Sequence, residues 1–182
     1  TKLGSWAFEN CGSLAHVQLS EGLRFIVGGA FANCTALRSV TIPASVTKLG
    51  RSAFFGCKNL AQVQLNEGLL DIGERAFSSC SSLRSVTIPS SVTELGNSAF
   101  SSCKNLAQVQ FNEGLMIIGD DAFSFCAALR SVTIPASVTK LGSWAFENCG
   151  SLAHVQLSEG LSEGLRFIGD WAFANCTALR SV

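Results

Sequence analysis

The sequence is poor in charge. Asp, Glu, Lys and Arg make up 14% of 182 residues, and thirteen acidic side chains balance thirteen basic ones. Lys and Arg nowhere cluster, which argues against a nucleic-acid partner or an anionic membrane surface. No apolar run approaches the roughly 20 residues that a spanning helix requires, so membrane insertion is not expected. No signal peptide is visible, because Thr1-Lys2-Leu3-Gly4 begins part-way through a repeat; the chain reads as a mature fragment or an excised array. The cysteines lack C-x-x-C or Cys/His spacing, which removes the usual zinc signatures. No Ser/His/Asp constellation, phosphate loop or carboxylate pair interrupts the pattern, and an enzyme needs such a unique cluster. No catalytic residue, metal or cofactor is therefore expected.

Apolar residues make up 47% of the chain, far from the composition of a disordered one. They are organised by one motif, Ala-Phe-x-x-Cys-x-x-Leu-x-x-Val, present eight times. The Ala-Phe pairs start at residues 7, 30, 53, 76, 99, 122, 145 and 172, in steps of 23 and a last step of 27. A fixed period of this size predicts a stack of small units that bury their apolar faces against one another. Two flavours alternate, so the full unit is 46 residues. One reads Leu14-Ala-His-Val17-Gln-Leu19-Ser-Glu-Gly22, the other Leu37-Arg-Ser-Val40-Thr-Ile42-Pro43. Alternation around Val17/Leu19 and Val40/Ile42 predicts a short strand. Pro43, Pro89 and Pro135 end it in one flavour, since proline cannot donate to a ladder. Gly22, Gly68, Gly114 and Gly160 mark the turn in the other. The remaining half-coil, Leu-Gly or Ile-Gly followed by Ala-Phe, predicts a turn and a short helical or 3₁₀ segment. It is too short for a free-standing helix of roughly 12–15 residues. The eight phenylalanines from Phe8 to Phe173 are expected to stack as an inner column.

The run Ile72-Gly-x-x-Ala-Phe77-x-x-Cys80-x-x-Leu83-x-x-Val86-x-Ile88-Pro89 resembles the leucine-rich repeats of BspA-like surface proteins, a 23-residue class of cell-surface arrays. The resemblance covers the whole chain. It implies a right-handed leucine-rich-repeat solenoid of eight coils, with parallel strands on one face and short helical or 3₁₀ turns on the other. Residues 1–182 would form one domain, uncapped at both ends: a fragment of a longer array or a filament-forming unit. It also implies an extracellular or cell-surface location. Where the general repeat carries Asn or Cys, this chain has Gly22 or Ser45, so no asparagine ladder is expected.

Two irregularities stand out. Thr1–Leu23 recurs letter for letter as Thr139–Leu161, six coils later. Leu157-Ser-Glu-Gly-Leu161-Ser-Glu-Gly-Leu165 duplicates four residues and produces the 27-residue step. Surface loops accept such insertions at little cost, so a bulge is expected there rather than a broken stack.

The outward strand positions form the candidate ligand-binding columns. Gln18, Gln64, Gln110 and Gln156 alternate with Thr41, Thr87 and Thr133, and Arg38, Arg84, Arg130 and Arg180 alternate with alanines. Such a face suits a protein or glycan ligand, or is simply solvated. Thr on every second coil argues against ice binding. His16 and His154 share one strand position with Gln62 and Gln108, which predicts an exposed polar site. Trp6, Trp144 and Trp171 precede Ala-Phe, in a slot that elsewhere holds Arg75 or Asp121. That slot is exposed, so the indoles make a sugar-stacking or self-association contact, or are partly covered by a neighbouring loop. Asn33-Cys-Thr and Asn175-Cys-Thr fit the N-glycosylation sequon. The cysteines fall at one phase of the coil, where equivalent side chains point the same way. That is poor disulfide geometry, and a column of buried free thiols is expected. Two functions follow: non-enzymatic recognition or adhesion through the strand face, or head-to-tail self-association into a filament or matrix.

Overall fold

A computed structural model describes residues 1–158 and 164–182. Among them the chain forms fourteen short strands and no helix. Every pairing is parallel, and the strands fall into two columns.

The first column comprises Lys2–Leu3, Phe25–Ile26, Lys48–Leu49, Asp71–Ile72, Glu94–Leu95, Ile117–Ile118, Lys140–Leu141 and Phe167–Ile168. These pair in that order into one eight-stranded sheet. Lys2 lies opposite Phe25 and Lys48 opposite Asp71, a step of 23 residues; Lys140 lies opposite Phe167, a step of 27. Eight strands are joined by seven windings, so eight motif copies make a parallel β-solenoid of about seven turns. The four-residue duplication leaves this ladder intact. The expected bulge itself involves residues 159–163, outside the described residues.

This sheet corrects the sequence reading, which puts the Leu-Gly and Ile-Gly dipeptides in a turn. Two-residue strands are too short to show a period of two. The glycine matters through close approach between coils. A Cβ on Gly96 would lie 2.6 Å from the Glu74 nitrogen and the Gly73 carbonyl carbon, and one on Gly169 would lie 2.3 Å from the Ser143 nitrogen. Val27 holds the same slot in the second coil. There the bond from Val27 N–H to the Leu3 carbonyl stretches to 3.3 Å, against 2.7 Å for Gly50 to Ile26 and 2.9 Å for Gly73 to Leu49.

The second column contains the strands that alternation predicts from Val40 onward. The one expected around Val17 and Leu19 is absent, and there the bond from Arg38 N–H to the Ala15 carbonyl is long at 3.4 Å, against 2.9 Å for Ala61 to Arg38 one coil on. The strands of this column pair two by two rather than as one sheet: Ser39–Thr41 with Gln62–Gln64, Ser85–Thr87 with Gln108–Gln110, and Ser131–Ile134 with His154–Leu157.

The expected helical segment is also absent among the described residues. The residue before Ala-Phe is left-handed in every coil, from Trp6 at φ 58° through Gly29 at 65° to Trp171 at 61°. So is the residue before Cys, from Asn10 at 59° through Gly56 at 69° to Asn175 at 59°. Two such residues per coil cannot continue a right-handed helix. They also turn the intervening N–H groups along the stack. Each phenylalanine N–H from Phe8 to Phe146 therefore donates to the alanine carbonyl of the next coil, as Phe31 to Ala53 and Phe77 to Ala99 at 2.8 Å. A chain of isolated turns, laddered between coils, replaces the helix.

Inside, the predicted phenylalanine column is present. Phe31, Phe54, Phe77, Phe100, Phe123 and Phe146 are fully buried, and successive rings from Phe8 to Phe173 stack face to face with centroids 5.1–5.5 Å apart. Leucines such as Leu37, Leu60 and Leu83 fill the corner beside them.

The two flavours have a structural reason. Ser45 Oγ accepts the Gly22 N–H of the preceding coil and donates to the Leu23 carbonyl. Ser91 treats Gly68 and Leu69 the same way, and Ser137 treats Gly114 and Leu115. One flavour supplies a glycine turn, and the next supplies the hydroxyl that satisfies it. This serine ladder stands where an asparagine ladder is missing.

Candidate functional site

The second strand column presents an outward row of uncharged hydrogen-bonding groups. Within each strand, Val40 or Val86 turns into the core, and the flanking Ser39, Thr41, Ser85 and Thr87 face solvent. On the partner strands Gln62, Gln64, Gln108 and Gln110 do the same. Ser131 and Thr133 with His154 and Gln156 complete the third pair, and Gln18 is exposed on the first coil. Some of these groups are joined: Gln64 Nε2 donates to Asn66 Oδ1 at 3.3 Å, and His154 Nδ1 lies 3.0 Å from Ser181 Oγ. A shallow cleft of about 430 Å³ crosses this face, lined by Ser85, Thr87, Gln108, Gln110 and Ser131 with Val86 and Val109.

Arg38, Arg84, Arg130 and Arg180 are exposed, yet Arg38, Arg84 and Arg130 stand just ahead of the strands, not on them. Their parity matches that of the buried valines two residues on, and only the corner before the strand lets them reach solvent. The arginines therefore form a margin beside a neutral polar face. Sequence reasoning passed over Ser39, Ser85 and Ser131, although their position two residues before the outward threonines was a sufficient signal.

The cysteine column is structural. Cys34 through Cys149 are buried, Cys176 is half-buried and Cys11 is exposed. From Cys34 onward each thiol donates to the carbonyl of the phenylalanine one coil back, as Cys57 to Phe31 at 3.1 Å and Cys80 to Phe54 at 3.2 Å. The Phe31 carbonyl also accepts the Cys34 N–H at 3.2 Å. Cysteine thus fills an apolar corner while giving a carbonyl its second donor. Burial, reinforced at Cys57 and Cys149 by a neighbouring thiol, pushes Cys57, Cys103 and Cys149 from 9.0 up to about 12. Each such thiol therefore forms far less thiolate than an exposed one. In the native protein a maleimide or a disulfide reagent should modify Cys11 rapidly, Cys176 slowly, and Cys57, Cys80 and Cys103 only on unfolding. Mass mapping of the modified peptides checks this. The raised thiols also predict alkaline instability. The folded state binds protons that the unfolded state has released, so stability is complete below pH 9.0 and is lost from there towards about 12. Thermal melts across that range should show the midpoint falling steadily.

The three tryptophans occupy a left-handed slot and are 51%, 41% and 67% exposed at Trp6, Trp144 and Trp171. Asn33 Nδ2 donates one hydrogen bond, to Asn10 Oδ1 at 3.1 Å, whereas Asn175 is exposed. Among the described residues no group of three or more His, Cys, Asp or Glu is placed to hold a metal ion. No described helix is long and apolar enough to cross a membrane.

A parallel solenoid with this coil length, phenylalanine column and Leu-x-x-Val-x-Ile strand defines a leucine-rich-repeat protein. A family model for the BspA type leucine rich repeat region, six copies long, matches residues 1–107 and again residues 71–182, and the chain belongs to that family. Curated protein sequences give no match. Solved structures do. The T. pallidum leucine rich repeat protein TpLRR is 33% identical with a TM-score of 0.80, over 90% of this chain and 76% of that one. The pneumococcal vaccine antigen PcpA is 31% identical with a TM-score of 0.69, over 76% of this chain; the match spans 36% of PcpA. A leucine rich cell surface protein from Faecalibacterium prausnitzii is 26% identical with a TM-score of 0.63, over 99% of this chain and 68% of that one.

Proposed function

We propose that this chain is a non-enzymatic recognition or adhesion module, displayed outside the cell or on its surface, which binds a protein or glycan through its second strand column. The observation that carries this reading is the repetition of neutral donors and acceptors, Ser39/Thr41 beside Gln62/Gln64 and their copies, on a rigid scaffold. Solenoids use extended faces of this kind for binding. The arginine margin adds planar, bidentate donors at one side. The surface location rests on the family and on the F. prausnitzii relative, which is described as a cell surface protein.

The test is a glycan and protein array probed with the wild-type chain and with a variant carrying Gln64→Ala, Gln110→Ala, Arg84→Ala and Arg130→Ala. The variant should lose at least about tenfold in affinity for whatever the wild type binds, since face-centre polar contacts each contribute on the order of 1 kcal/mol. Unchanged affinity would remove this face from the function. The second reading is head-to-tail stacking into a filament or matrix. It is supported by the uniformity of the coil-to-coil ladder, in which each coil's strand pairs in parallel with the next. Electron microscopy separates the two: long filaments favour stacking, and monodisperse short rods count against it.

A further inference from the structure

A groove of about 470 Å³ lies away from the second strand column, over the turns of the first four coils. That volume falls in the range of small-ligand sites. Its floor is cut by small residues: Ala32 lies between Glu9 and Phe55 of the neighbouring coils, and Ser52 follows Gly29 in the same slot. Trp6 and Glu9 of the first coil wall it on one side, and Arg75 of the fourth on the other. Arg51 and Phe55 flank the third coil, and Asn33 completes the lining.

Trp6 is held in this groove by its neighbour. A Cβ on Gly29 would sit 1.8 Å from Trp6 Cε3 and 2.0 Å from Cζ3. The indole therefore occupies the space that a side chain at position 29 would need. Trp144 has the same local sequence as Trp6, but the next coil carries Trp171 where Gly29 stands. The letter-for-letter repeat thus yields one indole lying against its neighbouring coil and one in a different setting. On the far side the guanidiniums of Arg51 and Arg75 approach one Glu74 oxygen at 3.2 and 3.8 Å, which holds them at the groove wall.

The backbone beneath is already committed. Trp6 N–H donates to the Gly28 carbonyl, Gly29 to Arg51, Ala32 to Gly29 and Asn33 to Phe55. No strand edge is offered here for a peptide main chain to pair with. Recognition falls to side chains: an aromatic plane, two guanidinium forks, a carboxylate and an amide. This set suits a ring with an apolar C–H face and equatorial hydroxyls. We propose that the Trp6 groove is a carbohydrate site that stacks a neutral hexopyranose of a glycan chain on the indole and holds its hydroxyls with Arg51, Arg75, Glu9 and Asn33. The proposal goes beyond the strand-face reading and does not depend on it.

The experiment is an NMR titration of the full 182-residue chain, labelled at the indole nitrogens, with maltohexaose and with cellohexaose at millimolar concentration. Trp6→Ser assigns the Trp6 resonance, and serine already fills that slot at Ser52 and Ser98, so the fold accepts it. One or both sugars should shift the Trp6 indole saturably and leave Trp144 unmoved. Gly29→Ser and Arg75→Ser, again residues the slot already carries, should each weaken binding at least about tenfold. Arg84→Ala with Arg130→Ala should not change it, whatever the fate of the strand-face reading. Absence of a Trp6 shift with either sugar overturns the proposal. So do equal shifts at Trp144 or full affinity in Gly29→Ser.

Discussion

Phe77→Ala should lower the unfolding free energy by about 3–5 kcal/mol, the range for removing a buried phenylalanine, and should also divide the transition in two. Phe77 is fully buried and stacks on Phe54 at 5.3 Å and on Phe100 at 5.2 Å. Its loss leaves a cavity and removes both ring contacts, each worth about 0.5–1.5 kcal/mol beyond area burial. In a linear array stability is a sum of coil and nearest-neighbour terms, so weakening a middle junction uncouples the two sides. The protein carries its own reporters. Trp6 lies three coils before Phe77 and Trp144 three coils after it. In urea, Trp6→Phe and wild-type fluorescence should trace one shared transition in the parent and separate midpoints once Phe77 is replaced. Phe8→Ala, at an exposed coil with a stacking partner on one side, should cost far less. Equal losses at the two sites would contradict a continuous ring column.

Gly96→Ala should destabilise by about 1–3 kcal/mol, and Gly96→Val by more, because the added carbon meets backbone that cannot rotate away. The nearest atoms, the Glu74 nitrogen and the Gly73 carbonyl carbon, are 2.6 Å from the ideal Cβ position. Gly4 supplies the control. It holds the same slot in the first coil, and a Cβ there meets nothing within 4 Å. Gly4→Ala should therefore be neutral or slightly stabilising through reduced freedom of the unfolded chain. The companion change Val27→Gly, at a half-buried position, relieves the stretched 3.3 Å bond to Leu3, and it should cost less than a Val→Gly substitution in the core. Chemical denaturation of the four variants orders them. If Gly4→Ala were as damaging as Gly96→Ala, the glycine would be required for its backbone angles and not for coil approach.

Much of this architecture was legible because bulky apolar residues report it directly. Phe54 and Cys57, repeated at 23, can only be explained by a shared interior, and alternation at Val40 and Ile42 revealed one strand column. The other column was hidden in Lys48–Leu49 and its copies, where two residues carry no periodicity and the neighbouring glycine suggests a turn. The missing helix was hidden for another reason. Trp6, Arg75 and Phe125 are poor left-handed residues, so their slots looked unremarkable. Asn10, Asn33, Gly56, Asn148 and Asn175 before the cysteines were the available clue. The polar face was half visible. Outward Thr41 and Gln64 follow from alternation, whereas Arg38 shares parity with buried Val40 and needed the observed corner to be placed. Trp6 was singled out from sequence as exposed, but its seat on Gly29 joins residues 23 apart and lies beyond any local pattern.

The serine–glycine clasp bears on how such a gene can grow or shrink. Ser45 satisfies Gly22, and Ser91 satisfies Gly68, so the two coil types must alternate. Unequal crossing-over that adds or deletes 46 residues preserves every clasp and simply changes the length of the rod. A single-coil event sets two like coils side by side, leaving either a glycine turn without its hydroxyl or a serine without its turn. Length variants of this molecule should therefore descend from one another in double steps.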